Sequence, residues 1–182
     1  DYNVVDKAKT REGFGWEYAA SSCFLSYSIA YDATKFGDAP PTGMADFFDV
    51  EKFPGKRTVS QSTYVDPQTV EFALTAQGKD VSDISTDDIE GAFDMYKDLG
   101  DNVIGWTTGA QAQQQLESGE AVMGLVWSGR GYGAAAAGAP VAPMWDQWMI
   151  MVDSNGIPKG VKDKQAAFAA VNYSIGAEQQ AK

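Results

Sequence analysis

The chain has 182 residues, 44% of them hydrophobic, the composition of a folded globular protein rather than a disordered segment. Fourteen Lys and Arg stand against 25 Asp and Glu, a formal net charge of −11, which disfavours nucleic acid and anionic membrane surfaces. Histidine is absent and Cys23 is the single cysteine, so Ser-His-Asp and Cys-His mechanisms, imidazole metal sites and an intrachain disulfide are all excluded.

The acidic balance suits a cationic or amine-bearing solute, and it equally serves plain solubility. No apolar run is long enough to span a membrane. The start Asp1-Tyr2-Asn3, without Met or signal peptide, is that expected of a mature or trimmed fragment. Without a histidine partner, Cys23 reads as a small buried hydrophobe rather than a nucleophile.

Asp1 to Glu12 is polar and reads as a connector. Trp16 to Tyr31 is rich in aromatic and small residues and predicts one or two extended segments. Asp38 to Gly43 is a loop, Met44 to Val50 a short helix, Arg57 to Ser60 a short strand. Asp66-Pro67 is a helix start, with Val70, Ala73 and Leu74 on one face and Gly78 at the end. Ser85-Thr86-Asp87-Asp88 opens a second helix, with Ile89, Phe93 and Tyr96 at core spacing and Gly100 as its stop. Val103 to Trp106 reads as a strand and Gln111 to Leu116 as helical. Ala121 to Trp127 is a strand apolar enough to be buried on both faces. Arg130 to Ala137 predicts a helix, Val141 to Trp145 and Trp148 to Asp153 strands, and Asp163 to about Ala181 a final helix. Strands alternating with helices imply an α/β sheet covered on both sides.

Phosphate loops, cysteine clusters and dinucleotide fingerprints are missing. Gly129-Arg130-Gly131-Tyr132-Gly133 lacks the Walker lysine and the Rossmann spacing. It reads as a strand-to-helix turn, where backbone N–H groups and an Arg together suit an anion. Ligands of open α/β sheets bind beyond the carboxyl ends of strands, and Arg130 follows such an end. It is placed either to hold a carboxylate bidentately or to cap a surface loop. Asp153 ends another apolar stretch, as an ammonium acceptor or as a turn former before Ser154-Asn155-Gly156. Trp106, Trp127, Trp145 and Trp148 lie at strand ends, where one or two could wall a cation and the rest fill the core.

The segment Asp46-Phe47-Phe48-Asp49-Val50-Glu51-Lys52-Phe53-Pro54-Gly55-Lys56-Arg57 resembles a motif of the family 1 extracellular solute-binding proteins, spermidine/putrescine type. So do Val122 to Gly129, Gly138-Ala139-Pro140-Val141, Ile157-Pro158-Lys159-Gly160 and the late helix ending Ala177 to Ala181. The five fall in order over nearly the whole chain. The resemblance implies one lobe of a type II periplasmic-binding-protein fold with hinge-crossing strands. Residues 1–16 would end a first-lobe segment, 17–148 would form the second lobe with one hinge strand, and 149–182 would supply the return strand and a first-lobe helix. Complete members are nearly twice as long, so most of the first lobe would be missing.

The implied function is that of an extracytoplasmic component of an ABC importer, not an enzyme. It would bind a small amine or amino acid, without metal or cofactor, and hand it to a membrane permease. The location would be periplasmic or extracellular, with lipid anchoring of the parent left open. The exposed lobe-facing surface of a fragment would favour a dimer. By the same resemblance Asp153 matches the acidic residue that holds a ligand amine, and Trp127 an aromatic that packs on ligand methylenes. Polyamine binders carry a small or acidic residue at the position of Arg130 and an aromatic at that of Met151. Arg130 with Asp153 is more similar to the γ-aminobutyrate binders of the superfamily, which implies a zwitterion, with Ser21, Ser22 and Tyr18 adding hydroxyls. A periplasmic glycosidase or lyase using Asp87-Asp88 or Asp46/Asp49 is the alternative, but acids at helix starts are common for dipole reasons.

Overall fold

The computed structural model describes residues 14, 16–61 and 66–181. The connector expected before Glu12 lies outside them. Two compact units emerge, one from Ser26 to Met149 and one from the described residues on either side of it.

The larger unit holds a mixed sheet in the order β3-β2-β4-β1-β5. Its strands are β1 (Ala19–Asp32), β2 (Arg57–Ser60), β3 (Val103–Trp106), β4 (Met123–Trp127) and β5 (Val141–Pro143). β2 runs parallel to β3 and β4, and β1 runs antiparallel to β4 and β5. β1 is thus the one strand that opposes the rest. Met123 to Val126 are all buried, because β4 sits between β2 and β1 and is covered on both faces. Their unbroken apolar run is the sequence signature of that position.

The helices are α1 (Ala33–Phe36), α2 (Pro67–Ala76), α3 (Thr86–Asp98), α4 (Gly109–Glu117) and α5 (Ser128–Ala136). α2 and α3 pack as a hairpin on Val70, Ala73, Leu74 and Ala92, with Ile89, Phe93 and Tyr96 against them. Asp66 caps α2 by accepting from Gln68 N, and Gly78 follows its end at φ +73°. Ser85 and Asp88 close a reciprocal capping box on α3.

A charged side chain is fully enclosed in this core. Arg57, at the start of β2, is fully buried. It donates to the carbonyls of Phe47 (2.8 Å), Gly55 (2.5 Å) and Asp49 (3.0 Å). The conspicuous Lys-Phe-Pro-Gly-Lys-Arg stretch is therefore a structural clamp, tying the turn at 47–55 to the sheet. Deeper in, Thr58 donates to Gln115 Oε1 and Gln115 Nε2 donates to Gly105 O, linking β2, α4 and β3.

The flanking unit contains the first part of β1, β6 (Met149–Gly156), α6 (Lys164–Ser174) and α7 (Ala177–Gln180). β6 pairs with β1.

Several expectations need correction. Met44–Phe47 is a single 3-10 turn, not a helix to Val50. α1 had no signal beyond Asp32, which caps it by accepting from Thr34 N. α4 begins at Gly109, two residues before Gln111 and just after the cap Thr108, and β5 stops at Pro143, whose ring removes a ladder donor. α5 begins at Ser128, two residues before the expected start at Arg130, so Arg130 lies within its first turn. β6 runs through to Gly156, which puts Asp153 inside a strand and not at a turn. The final helix breaks at Ile175-Gly176. Cys23 is exposed rather than buried, because it precedes the part of β1 that the helices cover.

Candidate functional site

β3 and β4 end side by side with β2, and at those ends the chain turns directly into α4 and α5. The first turns of both helices thus lie beyond the carboxyl edge of the parallel strands, where open α/β sheets bind ligands. Thr108 caps α4, accepting from Gln111 N. α5 has no side-chain cap, so its first-turn N–H groups keep their donor capacity.

Trp127 and Arg130 both approach the start of α4 here. The Trp127 ring stands edge-on to the buried Trp106, centroids 5.3 Å apart, with 37% of Trp127 exposed. Arg130 lies across Gly109 at the start of α4. A Cβ on Gly109 would fall 2.5 Å from Arg130 Nε and 3.0 Å from Trp127 Cζ3. A larger residue here would make the Arg130 side chain shift. Arg130 forms no salt bridge with any described residue. The result is a half-buried arginine and an indole that both converge on the start of α4. Such a group suits a carboxylate, held bidentately.

The remaining expected residues belong to the flanking unit. Ser22 Oγ donates to the backbone carbonyl of Asp153 at 3.0 Å, and Cys23 Sγ lies 3.7 Å from Asp153 Oδ2. Asp153 is exposed and its carboxylate takes part in no salt bridge with a described residue. Ser21 donates to Phe14 O, so its proton, like that of Ser22, is engaged by backbone. Tyr18 is 82% exposed just ahead of β1, and a hydrogen bond with Glu17 raises its pKa. This unit brings Ser22 to Asp153, and the other brings Trp127 and Arg130 to the start of α4.

Gly109 was not singled out from the sequence. The signal was there in Thr108-Gly109-Ala110-Gln111, a cap followed three residues later by Gln. Also unanticipated is a pocket of about 300 Å³ between α5, β1 and the 143–148 loop. Its walls come from residues distant in sequence, which periodicity cannot join.

The match to known proteins decides the family. Residues 7–182 fit the model of the bacterial extracellular solute-binding proteins. The chain belongs to that family. A γ-aminobutyric acid-binding protein of Pseudomonas aeruginosa is 31% identical over 178 residues, 91% of this chain and 49% of that protein. The spermidine/putrescine-binding periplasmic protein of Escherichia coli is 29% identical over 110 residues, 59% of this chain and 31% of its own. Among solved structures, a GABA receptor superposes with a TM-score of 0.87 at 34% identity, covering all of this chain and 56% of that one. The periplasmic binding protein MotA of Agrobacterium tumefaciens, in complex with glucopine, gives 0.87 at 31% identity, over 99% and 57%. The chain spans about half the length of these relatives. The fold is accordingly that of one lobe of a periplasmic binding protein with its connecting strands. Membership in a solute-binding family also removes the basis for the glycosidase or lyase alternative.

Proposed function

We propose that the full-length protein is the extracytoplasmic receptor of an ABC importer, and that it binds a γ-aminobutyrate-like zwitterion. Residues 17–148 would form the second lobe, and β1 and β6 would cross its hinge to the first. Arg130 takes the ligand carboxylate, Asp153 its ammonium, and Trp127 covers the carbon chain. The observation that carries this reading is the Arg130 guanidinium, in no salt bridge with a described residue, converging with Trp127 on the start of α4. A cation held in that place would repel a polyamine. The relatives named for γ-aminobutyrate support it, and those named for spermidine and putrescine supply the second reading. Delivery to a membrane permease, and a place outside the cytoplasmic membrane, follow from the family.

Calorimetry on the full-length protein with γ-aminobutyrate, putrescine and spermidine tests the assignment. Arg130→Met should cost about 2–5 kcal/mol of γ-aminobutyrate binding, as for one partner of a buried charge pair, and should spare a diamine. Asp153→Asn should weaken both ligand types. Gly109→Ala keeps every charge but crowds Arg130 Nε, so it should weaken γ-aminobutyrate without unfolding the protein. Unchanged γ-aminobutyrate affinity in Arg130→Met rejects the zwitterion and leaves the polyamine reading in its place.

A further inference from the structure

The loop between β5 and β6 hangs on a single side chain. Its last backbone bond to the sheet runs from Met144 N to Ile29 O, at 2.8 Å. From there to Met149, where β6 begins, one hydrogen bond joins it to another described residue. Gln147 Oε1 accepts from Met44 N at 2.7 Å. Gln147 has φ 55°, and among the described residues it is the one non-glycine with a positive φ. A Cβ makes that left-handed backbone costly, so it persists only where neighbouring contacts impose it.

The far end of this tether is well anchored. Met44 is 1% exposed and opens the 3-10 turn Met44–Phe47. The carbonyl of Phe47 accepts from Arg57, which ties that turn to β2. Gly43 leaves room for the same contact. Its backbone is extended, a form open to any residue, yet a Cβ there would fall 2.8 Å from Gln147 Oε1. Glycine at this position thus serves the approach of Gln147 and not the dihedrals of the turn.

The tethered loop carries Trp145 and Trp148, packed edge to face with centroids 6.2 Å apart, and both exposed. They line the pocket of about 300 Å³ together with Ser128 and Gly129, the two residues between Trp127 and Arg130. A shift of the loop therefore alters the surroundings of the first turn of α5. We infer that Gln147 is a positioning residue: through Met44 it holds the Trp145–Trp148 loop in a strained form, and solute affinity depends on that form. The inference rests on the reading that solute binds beside the first turn of α5, and not on which amine is bound.

The test uses the full-length protein labelled with 5-fluorotryptophan, its fluorine NMR signals assigned by single Trp→Phe substitutions. Gln147→Ala removes the acceptor. Gly43→Ala pushes Oε1 away from Met44 N at little cost elsewhere, since only the end of a flexible side chain must move. Both should shift and broaden the Trp145 and Trp148 signals and leave that of the buried Trp106 in place. The double variant should do no more than Gln147→Ala alone, because both changes break the same bond. Gln147→Glu, which keeps an acceptor of equal reach, should restore the signals, and Gln147→Asn, one methylene shorter, should not. Calorimetry with γ-aminobutyrate, putrescine and spermidine follows the same variants. A probe that binds the parent should lose about fivefold in affinity in Gln147→Ala, the weight of one ordinary hydrogen bond, and regain it in Gln147→Glu. The NMR needs no solute, so it decides on the tether even where γ-aminobutyrate fails to bind and the zwitterion reading falls. Unmoved Trp145 and Trp148 signals in Gln147→Ala overturn the inference. So does a displaced loop with unchanged affinity, which would make the bond a purely structural one.

Discussion

Arg57 and Arg130 are both cations near the sheet, and they do opposite things. Arg57 spends three of its five N–H donors on backbone carbonyls and is fully buried, so it is closed to a ligand. Burial lowers its pKa, yet a guanidinium stays charged at any accessible pH. Arg130 is half-buried with its Nε over Gly109, and its donors are unengaged by described residues. The distinction was only half legible in the sequence. The end of a buried apolar strand marked Arg130, but nothing local marks Arg57, whose three acceptors come from a turn that folds back from residues 47–55. Replacing Arg57 with Ala takes the side-chain donor from all three carbonyls, of which Asp49 O still accepts from Phe53 N, and opens a void. We expect a loss of roughly 3–5 kcal/mol in urea unfolding, from unsatisfied buried groups and cavity together. Arg57→Lys should recover little of it, because one ammonium cannot span three separated carbonyls. A Lys variant of parental stability would show that the charge, and not the fork, is what the turn needs.

At the level of elements, local chemistry was the best guide. Caps and breakers at Asp66, Ser85, Gly78 and Gly100 placed α2 and α3 to within a residue or two, since these signals act over a single turn. Boundaries failed where tertiary contact decides them: Asp153 is held in β6 by pairing with β1, although Ser154-Asn155-Gly156 has the composition of a turn. The α2–α3 hairpin adds an electrostatic latch. Lys79, just past the end of α2, reaches Asp88 Oδ1 at 2.5 Å in the capping box of α3. Hydrogen bonds from Lys79 and Ser85 hold the Asp88 carboxylate at a pKa of about 2, below its ordinary 3.8. A depressed carboxylate pKa contributes stability above the unfolded value, and that contribution fades as the pH drops through the folded value. Asp88→Asn should therefore be less stable than the parent near neutral pH, with the gap closing between about pH 4 and pH 2. Ser85→Ala, which removes the cap itself, should cost about 1 kcal/mol near neutral pH. A gap for Asp88→Asn that persists undiminished at pH 2 would mean the carboxylate's charge plays no part in the latch.

At the scale of the whole chain, two strands connect the units. β1 is continuous for 14 residues, but its character changes along the way. Cys23 and Phe24 are exposed and Leu25 half-buried, whereas Ser26 to Ala30 are all buried. The unit boundary falls at that change, between Leu25 and Ser26. β6 crosses at Met149 and Ile150 and buries no residue along its length. The alternation of strands and helices implied one α/β sheet but could not show this change, because Trp16 to Tyr31 is aromatic and small throughout. Where side-chain packing is thin, bending disturbs few contacts, and hinges concentrate in such places. If the two units belong to different lobes, ligand-driven closure must be absorbed at these two crossings. Hydrogen exchange of the full-length protein should therefore change on ligand addition at residues 24–27 and 148–151. The amides of Gly124 to Val126 should keep their rates, since β4 is buried between two neighbours and moves with the body of the unit. Exchange that slows uniformly across β4 and both crossings would point to general stabilisation by ligand. Unaltered rates at the crossings, with ligand demonstrably bound, would place the hinge elsewhere and remove β1 and β6 from that role.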